Sequence, residues 1–272
     1  MLKEIIKYVD DNIKENEEVI KSLLAHSIGF QLNGTKEDSI SKIGGMPSMD
    51  KNLFPCLNGE PLTFIGQIDL SEISSANDIL PSTGLLLFFV YTGDLGYRYP
   101  DRKGEFRVVY LDEISSTPEF VQVIDEKCQL MSFFQFYTFP SYQEGVVEKK
   151  NISNDDLNTI DEIQEHILWG LENDYDAPHQ ILGHPHAIQG TVRFWWAASY
   201  LNIDPTVEDF SEDERGQIDV IEDEFLLLLQ LNFLDSKIDI KTFGDSVVYF
   251  GIHKEDLRSN SFENAVLVMQ CT

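Results

Sequence analysis

The chain repeats itself, and an internal repeat restricts a fold more than any single motif can. Lys42-Ile43-Gly44-Gly45-Met46-Pro47 returns as Gln180-Ile181-Leu182-Gly183-His184-Pro185. Phe64-Ile65-Gly66-Gln67-Ile68-Asp69 returns as Leu227-Leu228-Leu229-Gln230-Leu231-Asn232. The run Gly84-Leu85-Leu86-Leu87-Phe88-Phe89-Val90 aligns with Ser246-Val247-Val248-Tyr249-Phe250-Gly251-Ile252, and Val108-Val109-Tyr110 with Val266-Leu267-Val268. The order is the same in both halves, and Gln67 to Phe88 spans 21 residues where Gln230 to Phe250 spans 20. Each unit has too few strands to cover both of its faces. The expectation is therefore two β-roll-like halves, about 40–125 and 178–272, sharing one core about a pseudo-two-fold within a single compact domain.

Local patterning agrees with a mainly β, α+β fold. Nine short segments rich in β-branched or aromatic residues read as strands: 62–70, 85–91, 106–111, 120–124, 130–139, 191–196, 225–232, 247–252 and 265–270. Two stretches read as helices. Leu2, Ile5, Ile6, Val9, Ile13, Ile20, Leu23 and Leu24 form an apolar stripe that predicts an amphipathic helix over about 2–26, broken only at Asn16 and Glu17. It docks on its own body or is offered to a partner. A mid-chain helix is predicted over 154–171, capped by Ser153 or Asn154 and ending near Gly170.

Charge narrows the partners. Twenty Lys and Arg against 47 Asp and Glu leave a net charge of −27, a field that repels nucleic acid and anionic membranes and favours a cationic protein. Cys56, Cys128 and Cys271 are odd in number and widely spaced, which fits a reducing compartment better than a disulfide framework. The N-terminal MLKEIIKYVDDN breaks its apolar residues with charge and is unlike a signal peptide, so the expected location is cytoplasmic. The oligomeric state is left open.

The ordered elements above, G-x-P, then apolar-x-Q-[IL]-[DN], then G-[LV]-x-x-F-F, resemble the YwqG-like family, a bacterial family of unknown function. Ile181-Leu182-Gly183-His184-Pro185-His186-Ala187-Ile188-Gln189 is similar to its G-x-P-x-x-I-Q element, and the likeness runs over about residues 40–272. The loop at Phe54-Pro55 is shorter than the family's, and 193–222 has no counterpart in it. The resemblance implies a β-rich, roll-like fold with duplicated halves and brings no catalytic residues. Some relatives look like neighbours of bacterial toxin systems, which implies a neutralising role as one form of protein binding.

Several residue groups are candidates for chemistry. Gln67 and Gln230 occupy the same place in each repeat inside apolar strands, and a buried amide has to find partners for its donors and its oxygen. Each either ties a neighbouring loop, such as the Gly-x-Pro turn, to the core, or lines a cleft between the halves with Asp69, Asn232 and Gln189. Glu208, Asp209, Glu212, Asp213 and Glu214 form an acidic run that lacks the alternating ligands of a calcium loop and reads as a solvated insertion, and as the best docking surface for a cationic partner. His179, His184 and His186 are weak candidates for a metal, against loop histidines exposed to solvent. The aromatic clusters at Phe133–Phe139 and Phe194–Trp196 read as core, with an exposed binding surface as the alternative. No cofactor is expected, and no nucleophile elbow, phosphate loop or dinucleotide fingerprint occurs, so the leaning is towards a protein without catalysis. An enzyme or small-molecule binder with its site near Gln67 and Gln230 is the alternative.

Overall fold

The computed structural model describes residues 1–13, 15–35, 39–93, 102–112, 128–150, 152–169, 177–204, 210–240 and 243–271. The amphipathic N-terminal segment is two helices, α1 (Leu2–Asn12) and α2 (Glu17–Leu23), followed directly by strand β1 (Ala25–Gln31). The continuous helix expected over 2–26 is corrected on this point. Ile13 adopts extended backbone angles, and the break falls beside Asn16 and Glu17, where the apolar stripe lapses. The stripe itself docks in place: Ile5, Val9, Ile13, Ile20 and Leu23 bury against Phe136, Phe139, Ile160 and Ile163.

The remaining strands are β2 (Lys42–Ile43), β3 (Cys56–Leu57), β4 (Glu60–Pro61), β5 (Thr63–Asp69), β6 (Leu85–Val90), β7 (Phe106–Leu111), β8 (Gln129–Leu130), β9 (Ser132–Thr138), β10 (Gln180–Leu182), β11 (Phe225–Asn232), β12 (Ser246–His253) and β13 (Val266–Cys271). They build a six-stranded sheet, β13-β12-β11-β10-β1-β9, a five-stranded sheet, β7-β6-β5-β2-β8, and the β3-β4 hairpin, all antiparallel. The helices after α2 are α3 (Leu70–Ile73), α4 (Gly145–Glu148), α5 (Asn154–Trp169), α6 (Val192–Tyr200), α7 (Glu212–Ile221) and α8 (Lys254–Arg258). The fold is α+β and mostly sheet, as the patterning predicts.

Period-two alternation sorts each central strand between two cores. Leu86, Phe88 and Val90 of β6 meet Val248, Phe250 and Ile252 of β12 in the core between the sheets, where the Phe88 and Phe250 rings lie 5.0 Å apart. The alternate residues, Leu85, Leu87 and Phe89, pack outward under Met49 and Leu62, while Val247 and Tyr249 pack outward under Trp196 of α6. Gly251 lets that indole approach, because a Cβ there would press on the Trp196 ring.

Several hydrogen bonds and turn angles within residues 40–69 have counterparts within 178–232. Lys42 pairs with Gln67 as Gln180 pairs with Gln230. The next two turn residues have positive φ in both places, Gly44 and Gly45 at 72° each, Leu182 at 59° and Gly183 at 72°. A register shift falls between Phe64 and Gly66 in one sheet and between Leu227 and Leu229 in the other. Ser41 Oγ accepts from the Asp69 N–H, and His179 Nδ1 accepts from the Asn232 N–H.

Three expectations change. Residues 191–196 are not a strand but the start of α6; a short aromatic run cannot be assigned by periodicity alone, and Ala197 and Ala198 extend it into a helix buried over most of its surface. In β7 and β13 the alignment moves by one residue: Phe88 faces Val108 and Phe250 faces Leu267, so Val108 corresponds to Leu267 rather than Val266. Strand β1 is not among the expected strands, although Ile28, Phe30 and Leu32 alternate with Gly29 and Gln31 and bury in the core. The expected strand at 120–124 lies outside the described residues.

Candidate functional site

Gln67 and Gln230 are both fully buried. Gln67 Oε1 accepts from the Ser48 N–H at 2.8 Å, and its Nε2 donates to Ile40 O at 2.9 Å and Ser48 Oγ at 3.0 Å. Gln230 Oε1 accepts from the His186 N–H at 2.8 Å, and its Nε2 donates to Pro178 O at 2.7 Å. Each amide therefore ties both ends of its Gly-x-Pro loop to the sheet. Their predicted companions are dispersed. Asp69 caps α3 through the Ser71 N–H, Asn232 donates to Ala177 O and accepts from the Leu234 N–H, and Gln189 accepts from the Cys271 N–H.

The histidines do not converge on one point, and among the described residues no group of three or more His, Cys, Asp or Glu is placed to hold a metal ion. They are not solvent-exposed loop residues either, which corrects that expectation. His179 is buried beside Asp235, at 3.2 Å, and stacks on Phe30. The His186 backbone is held at both ends, by Gln230 Oε1 and by the Tyr249 hydroxyl, which donates to its carbonyl at 2.8 Å.

His184 joins a buried ionic chain that single-residue reasoning does not reach. Its Nε2 lies 2.7 Å from Leu23 O and its Nδ1 lies 3.0 Å from Arg193 Nη2. A guanidinium only donates and a carbonyl only accepts, so Nδ1 is the acceptor and Nε2 carries the proton: the ring is neutral. Burial first, and the Arg193 charge second, push its pKa down from 6.5 to about 3. Arg193 in turn faces Glu144, Nη1 to Oε2 at 3.4 Å, while Glu144 Oε1 accepts from the Val192 N–H at 3.1 Å. The Glu144 carboxylate thus sits at the N-terminus of α6, which favours negative charge there. Its complete burial still raises its pKa, with Arg193 pulling the other way. The signal in the sequence was Arg193 itself, one charge inside the apolar run Val192–Ala198 that has to find an acid.

In front of this chain lies an open cleft of about 300 Å³. Its lining includes Gly145, Glu148, Gly190, Phe194, Arg215 and Glu222, so α4, the start of α6 and α7 all contribute. Gln143 and Gly145, on either side of Glu144, and Phe194, next to Arg193, line it. A Cβ at Gly145 would collide with Glu222 Oε1, so a larger residue there would displace the carboxylate from this position. Glu222 is 4% exposed; burial raises its pKa, opposed by Lys149 at 3.3 Å. Lys149 also binds Asp223 at 2.6 Å. The Arg215 guanidinium lies 4.6 Å over the Phe194 ring and donates to Asp219 at 2.9 Å.

The acidic run expected as a solvated insertion is, from Glu212 on, the first turn of α7. Ser211 and Glu214 close a capping box, and Glu212, Asp213 and Glu214 occupy the positive end of the helix. Glu208 and Asp209 lie outside the described residues.

Residues 41–271 match the family described as a domain of unknown function (DUF1963). The chain belongs to the DUF1963 family. YwqG-like proteins fall within DUF1963, so the resemblance read from the repeat elements holds at the level of that family. The DUF1963 match takes in the five-stranded sheet, the six-stranded sheet apart from β1, helices α3 to α8 and every residue lining the cleft. It leaves α1, α2 and β1 outside. No curated protein matches the chain. No helix among the described residues is long and apolar enough to cross a membrane.

Proposed function

We propose that this DUF1963 protein is a non-enzymatic binding module for a cationic protein, and that α7 with the turn after it forms the docking face. The observation that carries the reading is the composition and exposure of that face. The stretch 208–224 holds nine acids and one base, Arg215, in sequence; Glu212 and Asp213 are exposed on α7, and Val220 is exposed over 77% of its surface. An exposed apolar residue on a helix rich in acids suits an interface whose rim steers a partner of the opposite sign. Neutralising a basic toxin in the cytoplasm is one concrete form of this activity.

The test is capture of partners from the native organism on immobilised wild-type protein and on the variant Glu212→Gln/Asp213→Asn/Val220→Ser. The expected result is a basic protein held at low salt, released at high salt, and lost from the variant while its melting temperature stays near wild type. A complex indifferent to salt, or one the variant keeps, removes the acidic face from the explanation. A ligand site between the halves is the competing reading. To reach the two amides there, a ligand would have to displace the bonds from Gln67 and Gln230 to Ser48, Ile40, His186 and Pro178.

A further inference from the structure

The charges around the cleft do not cancel. Arg215 is matched by Asp219, and Lys149 by Glu222 and Asp223. Glu148 is exposed at the cleft and forms no ion pair among the described residues. The cleft lining therefore holds two carboxylates, Glu148 without an ion pair among the described residues and Glu222 paired with Lys149.

The wall opposite carries the second observation. The Phe194 face is already covered by a guanidinium, and that guanidinium belongs to a side chain that is half exposed and pairs with Asp219 on its own helix. Arg215 sits as an incoming arginine would, with its cation over the ring and its N–H groups on a carboxylate. Stacking of this kind at an exposed site is weak and exchangeable.

We propose that the cleft between α4, α6 and α7 receives one arginine side chain of the partner protein, which replaces Arg215 over Phe194 and pairs with Glu148 and Glu222. The inference rests on the acidic-face reading and specifies which group the cleft accepts. It makes Arg215 a resident competitor, a role that a cleft built for an anion would reverse: there Arg215 would be the main attractor.

The experiment titrates isotopically labelled full-length chain with N-acetyl-L-arginine amide, with the neutral citrulline counterpart as control. It follows the backbone amide signals of Gly145, Gly190, Thr191 and Phe194. Arginine should shift these signals and citrulline should not. Arg215→Gln should bind about three- to fivefold more tightly and Glu148→Gln about three- to fivefold more weakly, the worth of one exposed ion pair. Glu148 is exposed, so its variant reports binding without threatening the fold. Equal shifts with citrulline, weaker binding by Arg215→Gln, or unchanged binding by Glu148→Gln would each overturn the proposal. If a basic partner is captured on the α7 face while arginine leaves these amides unmoved, the cleft inference fails and the docking face stands. If no basic partner is captured either, both fail.

Discussion

His184 is held neutral by its neighbours rather than by its own chemistry. Arg193 takes the acceptor nitrogen and the Leu23 carbonyl takes the proton on the other, so charging the ring would set two cations against each other and break one bond. The sign of the resulting pH dependence follows from linkage. The folded pKa, about 3, lies below the ordinary 6.5, so the unfolded chain binds more protons between those values. The stabilisation is complete above pH 6.5 and is lost as pH falls towards 3. His184→Gln keeps an acceptor for Arg193 and a donor for Leu23 but cannot titrate. Urea unfolding measured from pH 7 downwards should therefore show a shallower loss of stability in the variant than in wild type. Parallel curves would mean that the imidazole is free to protonate in the folded chain.

At the scale of elements, the two loop tethers do the most with the fewest atoms. A loop that turns with two consecutive positive-φ residues, one of them the non-glycine Leu182, is unfavourable by itself and needs an external hold. Gln230 supplies it by bonding the loop at Pro178 and at His186, four residues on either side of Leu182. Replacing Gln230 with Leu keeps the bulk but leaves a buried N–H and a buried carbonyl without partners, at a cost of about 2–4 kcal/mol. Gln67→Leu should cost a similar amount, since Ser48 and Ile40 are held in the same way. Chemical denaturation of both variants measures this, and a loss below about 1 kcal/mol in either would show that water or a neighbour satisfies the freed groups. The matching bonds, bulge positions and turn angles make the two loops local counterparts of each other.

For the whole molecule, charge sets the behaviour in solution. A net −27 stored on one chain repels itself, and much of it lies on exposed carboxylates such as those of α7. Raising sodium chloride from about 0.01 M to about 0.15 M shortens the screening length from about 30 Å to about 8 Å. The melting temperature should rise over that range, each 1 kcal/mol of relief reading as about 2–4 °C for a chain of this size. A melting temperature that falls with salt would mean that attractive pairs, such as Lys149 with Asp223 and Arg193 with Glu144, outweigh the repulsion.

Whatever depends on local period, or on like positions in the repeat, was legible in the residues alone. Short runs rich in β-branched and aromatic residues marked β5, β6, β11 and β12, and the matched glutamines marked the places where the loops return to the core. Capping residues placed the start of α5, and the apolar stripe placed α1 and α2 but not the break between them. The rest depends on contacts between distant segments. Whether 191–196 winds into a helix depends on the surface that Gly251 leaves for Trp196, and whether Ala25–Gln31 extends depends on its partners β9 and β10. The cleft is drawn from segments near 145, 190 and 220, and its buried chain joins Leu23, Glu144, His184 and Arg193. Such a constellation has no period and no fixed spacing, because charges removed from water choose their partners by distance in space and not along the chain.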